Sequence, residues 1–462
     1  MTSISQKLMS NWSRFGTRFL PFADAATPDV PLTRLLRLSL FQVSVGMALV
    51  MLIGTLNRVL IVELKVPASL VSLMISIPLI FAPFRAVIGF RSDTHRSALG
   101  WKRVPYIWMG TLVQFGGFAM MPFALLVLSG AGQSSNAPQW VGQLGAGIAF
   151  LFVGAGLHTT QTVGLALAND LVPPKSQPKV VGLMYVMLLI GMILSAVIFG
   201  NLLSDFSPGR LIQVVQGAAV ATIILNVIAL WKQEARKPAH LYPAPPKGKT
   251  FKESWDAFLE GNYATRRLIA VGIGTMAFSM EDILLEPYGG DILKLTVSQT
   301  TSLTAALAGG GLLGFAWASH ILSKGADPFK MSSIGALIGI PAFLAVIISG
   351  QISEPILFAL GTLLIGFGAG LFGHGTLTAT MNLAPNGQSG LALGAWGAVQ
   401  ASAAGIAITL GGIIRDLVAH QTNSSLAGYR TVYIAEICLL IMTIIAMLPL
   451  IKDRNNFPLF KI

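Results

Sequence analysis

The sequence predicts an all-α polytopic membrane protein with twelve transmembrane helices in two six-helix halves. Of its 462 residues, 53% are hydrophobic and only 11% are charged, whereas a soluble protein has about 25% charged residues. Apolar runs of about 20 residues, the length that crosses a bilayer as a helix, recur along the chain. One long polar stretch, 232–266, divides these runs into two groups of six.

The apolar runs set the predicted domain organisation. Residues 38–231 form the N-terminal half and 267–451 the C-terminal half. The two halves look related, because Val153–Leu157 and Phe367–Leu371 share the letters Gly-Ala-Gly-Leu at corresponding spans, which is typical of transporters built from repeats. The predicted spans are 38–62, 69–91, 104–129, 141–169, 179–203, 211–231, 267–290, 298–323, 331–350, 355–381, 389–415 and 430–451.

Three polar segments flank these halves. The N-terminal segment 1–37 carries apolar residues at helical spacing over Gln6–Leu20, which predicts an amphipathic helix in the membrane interface; a disordered basic tail is the alternative. The central loop 232–266 begins with prolines and continues with a second amphipathic pattern. Gly248-Lys249-Thr250 resembles the end of a phosphate-binding loop, but Pro243 stands where that loop needs glycine, so no ATP site is predicted. A short tail, 452–462, follows the last span.

The net charge of +12 is a topology signal rather than a nucleic-acid patch. Most of the 31 lysines and arginines flank spans on one side, and positive residues mark the cytoplasmic side. The positions of Arg415 and Arg430 at span ends place them on the opposite side. Both termini are therefore predicted to be cytoplasmic. The single cysteine, Cys438, excludes a disulfide framework, and no arrangement of catalytic residues or metal ligands stands out, so we expect neither an enzyme nor a metal site.

Charged residues within the spans are the first candidates for function, because a charge in the bilayer is costly. The first span ends with Arg58 and Glu63. Their spacing of five does not place them on one face of an α-helix, so we expect Arg58 to pair with an acid of the seventh span. A conformational latch or snorkelling at the interface is an equal alternative for Glu63 and for Glu286. The remaining members of this predicted network are Arg85, which is expected to snorkel towards the cytoplasm, and Glu281, Asp282 and Glu286 of the seventh span.

We further predict that Arg58, Glu63 and Glu281 hold the two halves together or line a cavity between them.

The turn between the second and third spans carries the most specific pattern in the chain. Its order of small, acidic and basic residues resembles the helix 2–3 signature of the major facilitator superfamily. The longer string from Phe81 to Trp108 resembles one branch of it, the PucC/LhaA-type proteins of light-harvesting complex assembly and bacteriochlorophyll delivery. The turn residues that carry the resemblance are Gly89, Arg91, Asp93, Gly100, Lys102 and Arg103.

The resemblance implies a protein of the bacterial inner (intracytoplasmic) membrane that binds bacteriochlorophyll and delivers it to nascent antenna polypeptides, with the core antenna LH1 favoured over LH2. Its implied partners are those polypeptides, bacteriochlorophyll synthase and the membrane insertion machinery. Two alternatives remain open: a membrane assembly chaperone that transports nothing, and a proton-coupled transporter of a small solute.

A bound pigment would need an axial ligand for its central magnesium, and a neutral imidazole supplies one. His158 and His374 follow the two matching Gly-Ala-Gly-Leu motifs within spans, and Gln161 is a weaker candidate of the same kind. A histidine that makes a helix–helix hydrogen bond is the alternative interpretation of both positions.

Overall fold

The chain is helical throughout the regular structure of its computed structural model. The structure describes residues 20–27, 29–80, 85, 88, 91–92, 97, 100–130, 136–173, 176–235, 263–382 and 389–451. The helices, in chain order, are α1 (Leu32–Glu63), α2 (Ala68–Ile80), α3 (Val104–Leu128), α4 (Gln139–Asp170), α5 (Gln177–Leu202), α6 (Pro208–Leu230), α7 (Ala264–Asp291), α8 (Val297–Leu322), α9 (Pro328–Ile352), α10 (Pro355–Asn382), α11 (Ser389–Thr422) and α12 (Ser425–Met447).

The predicted fold class is confirmed. Among the described residues, eleven helices are long and apolar enough to cross a membrane, and α2 is a shorter apolar helix at the place of the predicted second span. The described residues contain no strand. Large apolar side chains on these helices are exposed, with Phe123 72% and Ile356 73% accessible. Such helices need lipid around them, because their apolar side chains and internally bonded backbones suit a bilayer.

Several predictions fall on residues that the structure does not describe. The interfacial helix proposed from Gln6, the amphipathic helix of the central loop and the tail 452–462 lie outside the described residues. So do Gly89 and Asp93 of the turn between the second and third spans.

Two helices depart from regular α geometry. In α1, the α-helical segments Leu32–Leu38 and Leu40–Leu49 are followed by π-helical turns over Val50–Leu56 and Val59–Glu63. The amide of Leu64 donates to the carbonyl of Val59 at 3.0 Å, a bond between residues five apart, which is the pattern of a π-helix.

Helix α7 is interrupted. Its α-helical parts, Ala264–Ala277 and Leu285–Asp291, are joined through a short 3-10 turn, Glu281–Ile283. Both departures are in the helices that carry most of the predicted intramembrane charges. Irregular backbone within a span is tolerated where it is buried in protein.

The helix ends follow local sequence signals. Pro105, Pro208 and Pro328 occupy the first turns of α3, α6 and α9, where a missing N–H costs nothing. Asp327 accepts hydrogen bonds from the amides of Phe329 and Lys330 at 2.8 and 3.1 Å. These signals explain why the predicted starts of these helices are close to the observed ones.

Helix α11 is longer than predicted. It continues to Thr422, past the predicted end at 415, so Arg415 lies within the helix and not beyond the span. The Arg415 guanidinium forms ion pairs with Asp291 at 3.4 Å and Asp416 at 2.8 Å, and it lies over the ring of Tyr429. Pairing offsets the cost of burying this charge, which the count of apolar residues could not anticipate.

Contacts within the chain group it into two units. The first comprises Met1–Met51 and Phe84–Pro246, and the second comprises Leu52–Pro83 and Lys247–Ile462. The division into halves at 38–231 and 267–451 stays a prediction.

In the first unit, glycines let α3 and α4 pack closely. A Cβ added to Gly117 would stand 2.6 Å from the amide nitrogen of Val153 and 2.7 Å from the carbonyl of Ala149. A Cβ on the preceding residue, Gly116, would meet no atom within 4 Å. Small residues at a helix crossing are the usual means by which membrane helices approach each other.

These adjacent glycines give a matched test of the packing. Gly117→Ala should lower the free energy of unfolding by about 1–3 kcal/mol, because its methyl group would meet backbone atoms that cannot move aside. Gly116→Ala should be neutral or slightly stabilising, because alanine favours helix and nothing obstructs it. Unfolding in mixed detergent micelles measures both variants. Equal stability of the two would contradict the close packing of α3 on α4.

Candidate functional site

Arg58 pairs with Glu63, contrary to the expectation that it would pair with an acid of the seventh span. The Arg58 guanidinium nitrogen Nη1 lies 2.5 Å from Glu63 Oε1. The reason is the π-helical winding of Val59–Glu63, in which residues five apart share a face. Arg58 is 3% exposed and also donates from Nη2 to the carbonyl of Leu295 at 3.1 Å.

An acid of α7 does lie near this pair. Glu286 is 4% exposed, and Arg58 acts on it electrostatically. It accepts a hydrogen bond from the hydroxyl of Thr304, while its other oxygen, Oε2, has no hydrogen-bond partner in the described part of the chain. Gly54 makes this approach possible, because a Cβ there would stand 2.8 Å from Glu286 Oε1. We call Arg58, Glu63, Glu286 and Thr304 the Arg58 cluster.

Asn57 connects α1 to the interruption of α7. Its side-chain amide donates to the carbonyl of Ile283 at 2.8 Å and to that of Ile53 at 2.9 Å. A carbonyl in a 3-10 turn lacks its helical partner, and a buried carbonyl left unpaired is costly. Asn57 therefore satisfies the backbone that the interruption exposes.

The other two acids of α7 lie in a separate group. Glu281 is buried, and its charged neighbours are Asp282 and Glu436 of α12. Glu436 is fully buried, and its polar neighbours are the backbone and carboxyl of Glu281 and the carboxyl of Asp282. Neither oxygen of Glu436 receives a hydrogen bond from a described side chain. We call Glu281, Asp282 and Glu436 the acidic cluster.

The acidic cluster has no cationic partner in the described part of the chain. The hydroxyl of Tyr433, one turn before Glu436, is also buried without a hydrogen-bond partner. Sequence reasoning missed Glu436, although a single carboxylate within the apolar run from Val432 was a sufficient signal. The arrangement brings buried carboxyl groups together at the break in α7.

Arg85 belongs to the first unit. Its partners are Gln161, which is a predicted ligand candidate, and the adjacent Thr162. Its guanidinium donates from Nη2 to Gln161 Oε1 at 3.0 Å and from Nε to the hydroxyl of Thr162 at 2.9 Å. The Thr162 hydroxyl in turn donates to the carbonyl of His158 at 2.7 Å. Arg85 is thus held on α4, and with Gln161, Thr162 and His158 it forms the Arg85 cluster.

His158 fits the role of a ligand to a cargo pigment better than Gln161 does. Its Nδ1 is buried without a hydrogen-bond partner in the described part of the chain, so one ring nitrogen is not committed to the protein. The amide oxygen of Gln161, the atom that would bind magnesium, already accepts from Arg85. His374 packs on the ring of Phe315, with 4.2 Å between ring centroids, and is 9% exposed.

The described part of the turn before α3 is held by acids on neighbouring segments. Arg103 donates to Asp170 at 3.0 Å and to the hydroxyl of Ser92 at 2.6 Å, and Lys102 lies 3.9 Å from Asp170. Glu234 accepts hydrogen bonds from the amides of residues 102, 103 and 104 at 2.8–3.0 Å. A carboxylate that accepts from amides at a helix N-terminus stabilises the start of α3.

Gly100 and Arg91 are the other residues of the turn signature that the structure describes. Gly100 has a φ of +79°, which glycine adopts without strain. Arg91 lies on the exposed surface. Within the described residues, no group of three or more histidine, cysteine, aspartate or glutamate side chains could hold a metal ion.

Known proteins of similar sequence and structure place the chain in a family. The solved structure of a bacterial homologue of the iron transporter ferroportin in its inward-facing state superposes with a TM-score of 0.66 at 13% identity, covering 90% of this chain and 98% of that one. At this identity the likeness shows the fold alone, which this chain shares with that structure.

Two relatives are similar over most of their length. Protein PucC of Rhodovulum sulfidophilum is 60% identical over 436 residues, 94% of this chain and 96% of that protein. The bacteriochlorophyll synthase 44.5 kDa chain of Rhodobacter capsulatus is 26% identical over 395 residues, 83% and 88% of the two chains. The profile of the family described as PUCC protein matches residues 55–455. This chain therefore belongs to the PucC protein family.

Proposed function

We propose that this protein binds bacteriochlorophyll within the bacterial inner membrane and delivers it to nascent light-harvesting antenna polypeptides. The observation that carries the proposal is His158, an imidazole within a span whose Nδ1 has no hydrogen-bond partner in the described part of the chain. The 44.5 kDa relative, which is named as a chain of bacteriochlorophyll synthase, supports the pigment class. The protein acts as a carrier in this proposal and catalyses no reaction.

The residues of the Arg85 cluster have separate roles in this proposal. His158 supplies the nitrogen that binds the central magnesium of the pigment. Thr162 accepts from Arg85 and donates to the carbonyl of His158, which fixes the backbone that carries the ligand. Gln161 orients the Arg85 guanidinium. A ligand held by such supporting bonds binds its metal more tightly.

An absorption spectrum of the protein, purified gently from photosynthetically grown cells, tests this function. We expect a stoichiometric near-infrared bacteriochlorophyll band that is lost in His158→Ala. His374→Ala tests the second candidate ligand in the same way. His320→Ala, which changes an exposed histidine near the end of α8, is the matched control and should keep the band. A folded, abundant and colourless wild-type protein would contradict pigment binding, and capture of antenna polypeptides without pigment would favour the chaperone function.

The client antenna that we propose is LH1 rather than LH2, with both termini of the carrier in the cytoplasm. The other proposed partners are bacteriochlorophyll synthase and the insertion machinery. Whole-cell spectra of a deletion strain distinguish the two antennae, because each has its own near-infrared bands. Loss of the LH2 bands with normal LH1 would contradict the choice of client while leaving pigment binding intact.

A second candidate function, proton-coupled transport of a small solute, is favoured by the acidic cluster. Carboxyl groups buried without cations are suited to bind and release protons within a span. Uptake of solute into vesicles driven by a proton gradient, abolished by Glu436→Gln, would support it. The absence of proton-linked uptake in vesicles that contain the folded protein would contradict it.

A further inference from the structure

A basic cavity of the first unit lies where the first helix begins and the sixth helix ends. It has a volume of about 540 Å³ and is lined by Thr33, Arg34, Arg37 and Lys232. Thr33, Arg34 and Arg37 come from the first turns of α1, and Lys232 follows the last turn of α6. Among its lining residues that the structure describes, three of the four carry a positive charge and none carries a negative one.

Of the three cations, Arg34 is held by hydrogen bonds, whereas Arg37 and Lys232 have no partner among the described residues. Arg34 donates from Nη2 to the carbonyl of Gln233 at 2.8 Å and from Nε to its side-chain oxygen at 3.3 Å, and Gln233 donates back to the carbonyl of Arg34 at 3.2 Å. The side chains of Arg37 and Lys232 make no hydrogen bond or ion pair within the described part of the chain, and Arg37 Nε is buried there. The cavity is thus lined by one arginine that is held in place, Arg34, and by two cations without a partner among the described residues, Arg37 and Lys232.

The nearest acid along the chain is not available to these cations. Glu234, two residues after Lys232, uses both carboxylate oxygens to accept hydrogen bonds from the amides that begin α3. Its charge therefore faces the start of α3. A concentration of positive charge without a protein partner attracts an anion from outside.

The depth of the cavity in the membrane identifies the source of that anion. Trp231, directly before Lys232, is 60% exposed, and Val227 and Ile228 on the preceding turn are 39% and 43% exposed. Exposed aliphatic side chains mark the lipid-facing part of α6, and tryptophan prefers the boundary between acyl chains and headgroups. Lys232, which directly follows Trp231, is therefore expected on the headgroup side of that boundary.

We propose that this cavity binds the phosphate group of an anionic phospholipid, such as phosphatidylglycerol. Arg37 and Lys232 supply the charges that contact the phosphate, while Arg34 and Gln233 keep the cavity open. Arginine forms paired hydrogen bonds with phosphate oxygens, and basic pockets between membrane helices are suited to acidic headgroups. The bound lipid would tie the start of α1 to the end of α6 within the first unit.

Native mass spectrometry of the full-length protein with added phosphatidylglycerol tests the proposal. The Arg37→Gln/Lys232→Gln variant should bind phosphatidylglycerol about 25-fold more weakly than the wild type, from two lost charges near the membrane surface. Lys324→Gln is the matched control, because Lys324 is an exposed lysine of the second unit, and its binding should be unchanged. Each single variant should show part of the loss, which guards against a double variant that fails to fold.

Three outcomes would overturn the proposal. Equal binding of phosphatidylglycerol by the double variant and Lys324→Gln would place the lipid elsewhere. Equal affinity of the wild type for phosphatidylglycerol and for zwitterionic phosphatidylcholine would exclude recognition of an anionic headgroup. Displacement of the lipid by inorganic phosphate at a similar concentration would assign the cavity to free phosphate. None of these outcomes depends on whether pigment is bound.

Discussion

Arg58→Gln should lower the free energy of unfolding by about 3 kcal/mol, because it removes the hydrogen bonds of a buried guanidinium, and each buried polar partner left unpaired costs about 1–3 kcal/mol. The substitution removes the pair with Glu63 and the hydrogen bond to the carbonyl of Leu295. Glu63 is partly exposed and can be hydrated, but Glu286 is buried and would lose its attractive cationic neighbour.

Unfolding of the purified variants in mixed micelles measures this loss. Lys65→Gln is the control, since it removes the same charge from an exposed side chain seven positions further along the chain and should change stability by less than about 0.5 kcal/mol. Similar stability of Arg58→Gln and Lys65→Gln would show that Arg58 contributes little to the fold. Antenna levels in Arg58→Ala and Glu281→Ala strains with normal protein abundance report separately on function, and normal levels in both would contradict a functional role.

Glu436→Met should have the opposite effect on stability and raise the free energy of unfolding by about 2 kcal/mol. A buried polar group without a side-chain partner costs about 1–3 kcal/mol, and Glu436 lies fully buried beside the carboxyl groups of Glu281 and Asp282. Methionine has a similar volume and no polar atoms to desolvate. A protein that retains such a carboxyl group trades stability for function, as sites of activity commonly do.

The same unfolding measurement tests Glu436→Met, with Glu354→Met as the control. Glu354 is exposed, so its replacement should leave stability nearly unchanged. If Glu436→Met unfolds more easily than the wild type, the carboxyl group is stabilising and the acidic cluster is part of the structural core. If the stabilised variant fails to assemble antenna complexes, the cluster serves the function.

Hydropathy and helix-end signals predict much of the fold. The start of α3 is predicted at residue 104, where it is observed, because an apolar run begins directly after the basic pair Lys102-Arg103. The end of α11 was placed too early, because apolarity alone cannot reveal that Arg415 is paired with Asp291, 124 positions away. Tertiary partners of this kind carry no local signal.

The candidate site shows the same difference between residues that the sequence reveals and tertiary partners that it does not. Arg58, Glu286 and Arg85 were recognised as charges within spans, but their partners were not. The contact between Arg85 and Gln161 joins positions 76 residues apart, and it follows from the packing of helices rather than from any local pattern. Glu436 is a different case, because its apolar flanks made it as visible as Glu281.

The π-helical winding of α1 determines which of its side chains share a face, and it places Arg58 and Glu63 together. In an α-helix, residues 58 and 63 would point about 140° apart, so the ion pair exists only while Val59–Glu63 keeps its wider turn. Conversely, a return to α winding would rotate Glu63 away from Arg58 and change the direction of every side chain beyond it. The pair and the winding therefore stabilise each other, and one electrostatic contact helps to set the rotational phase of this end of α1.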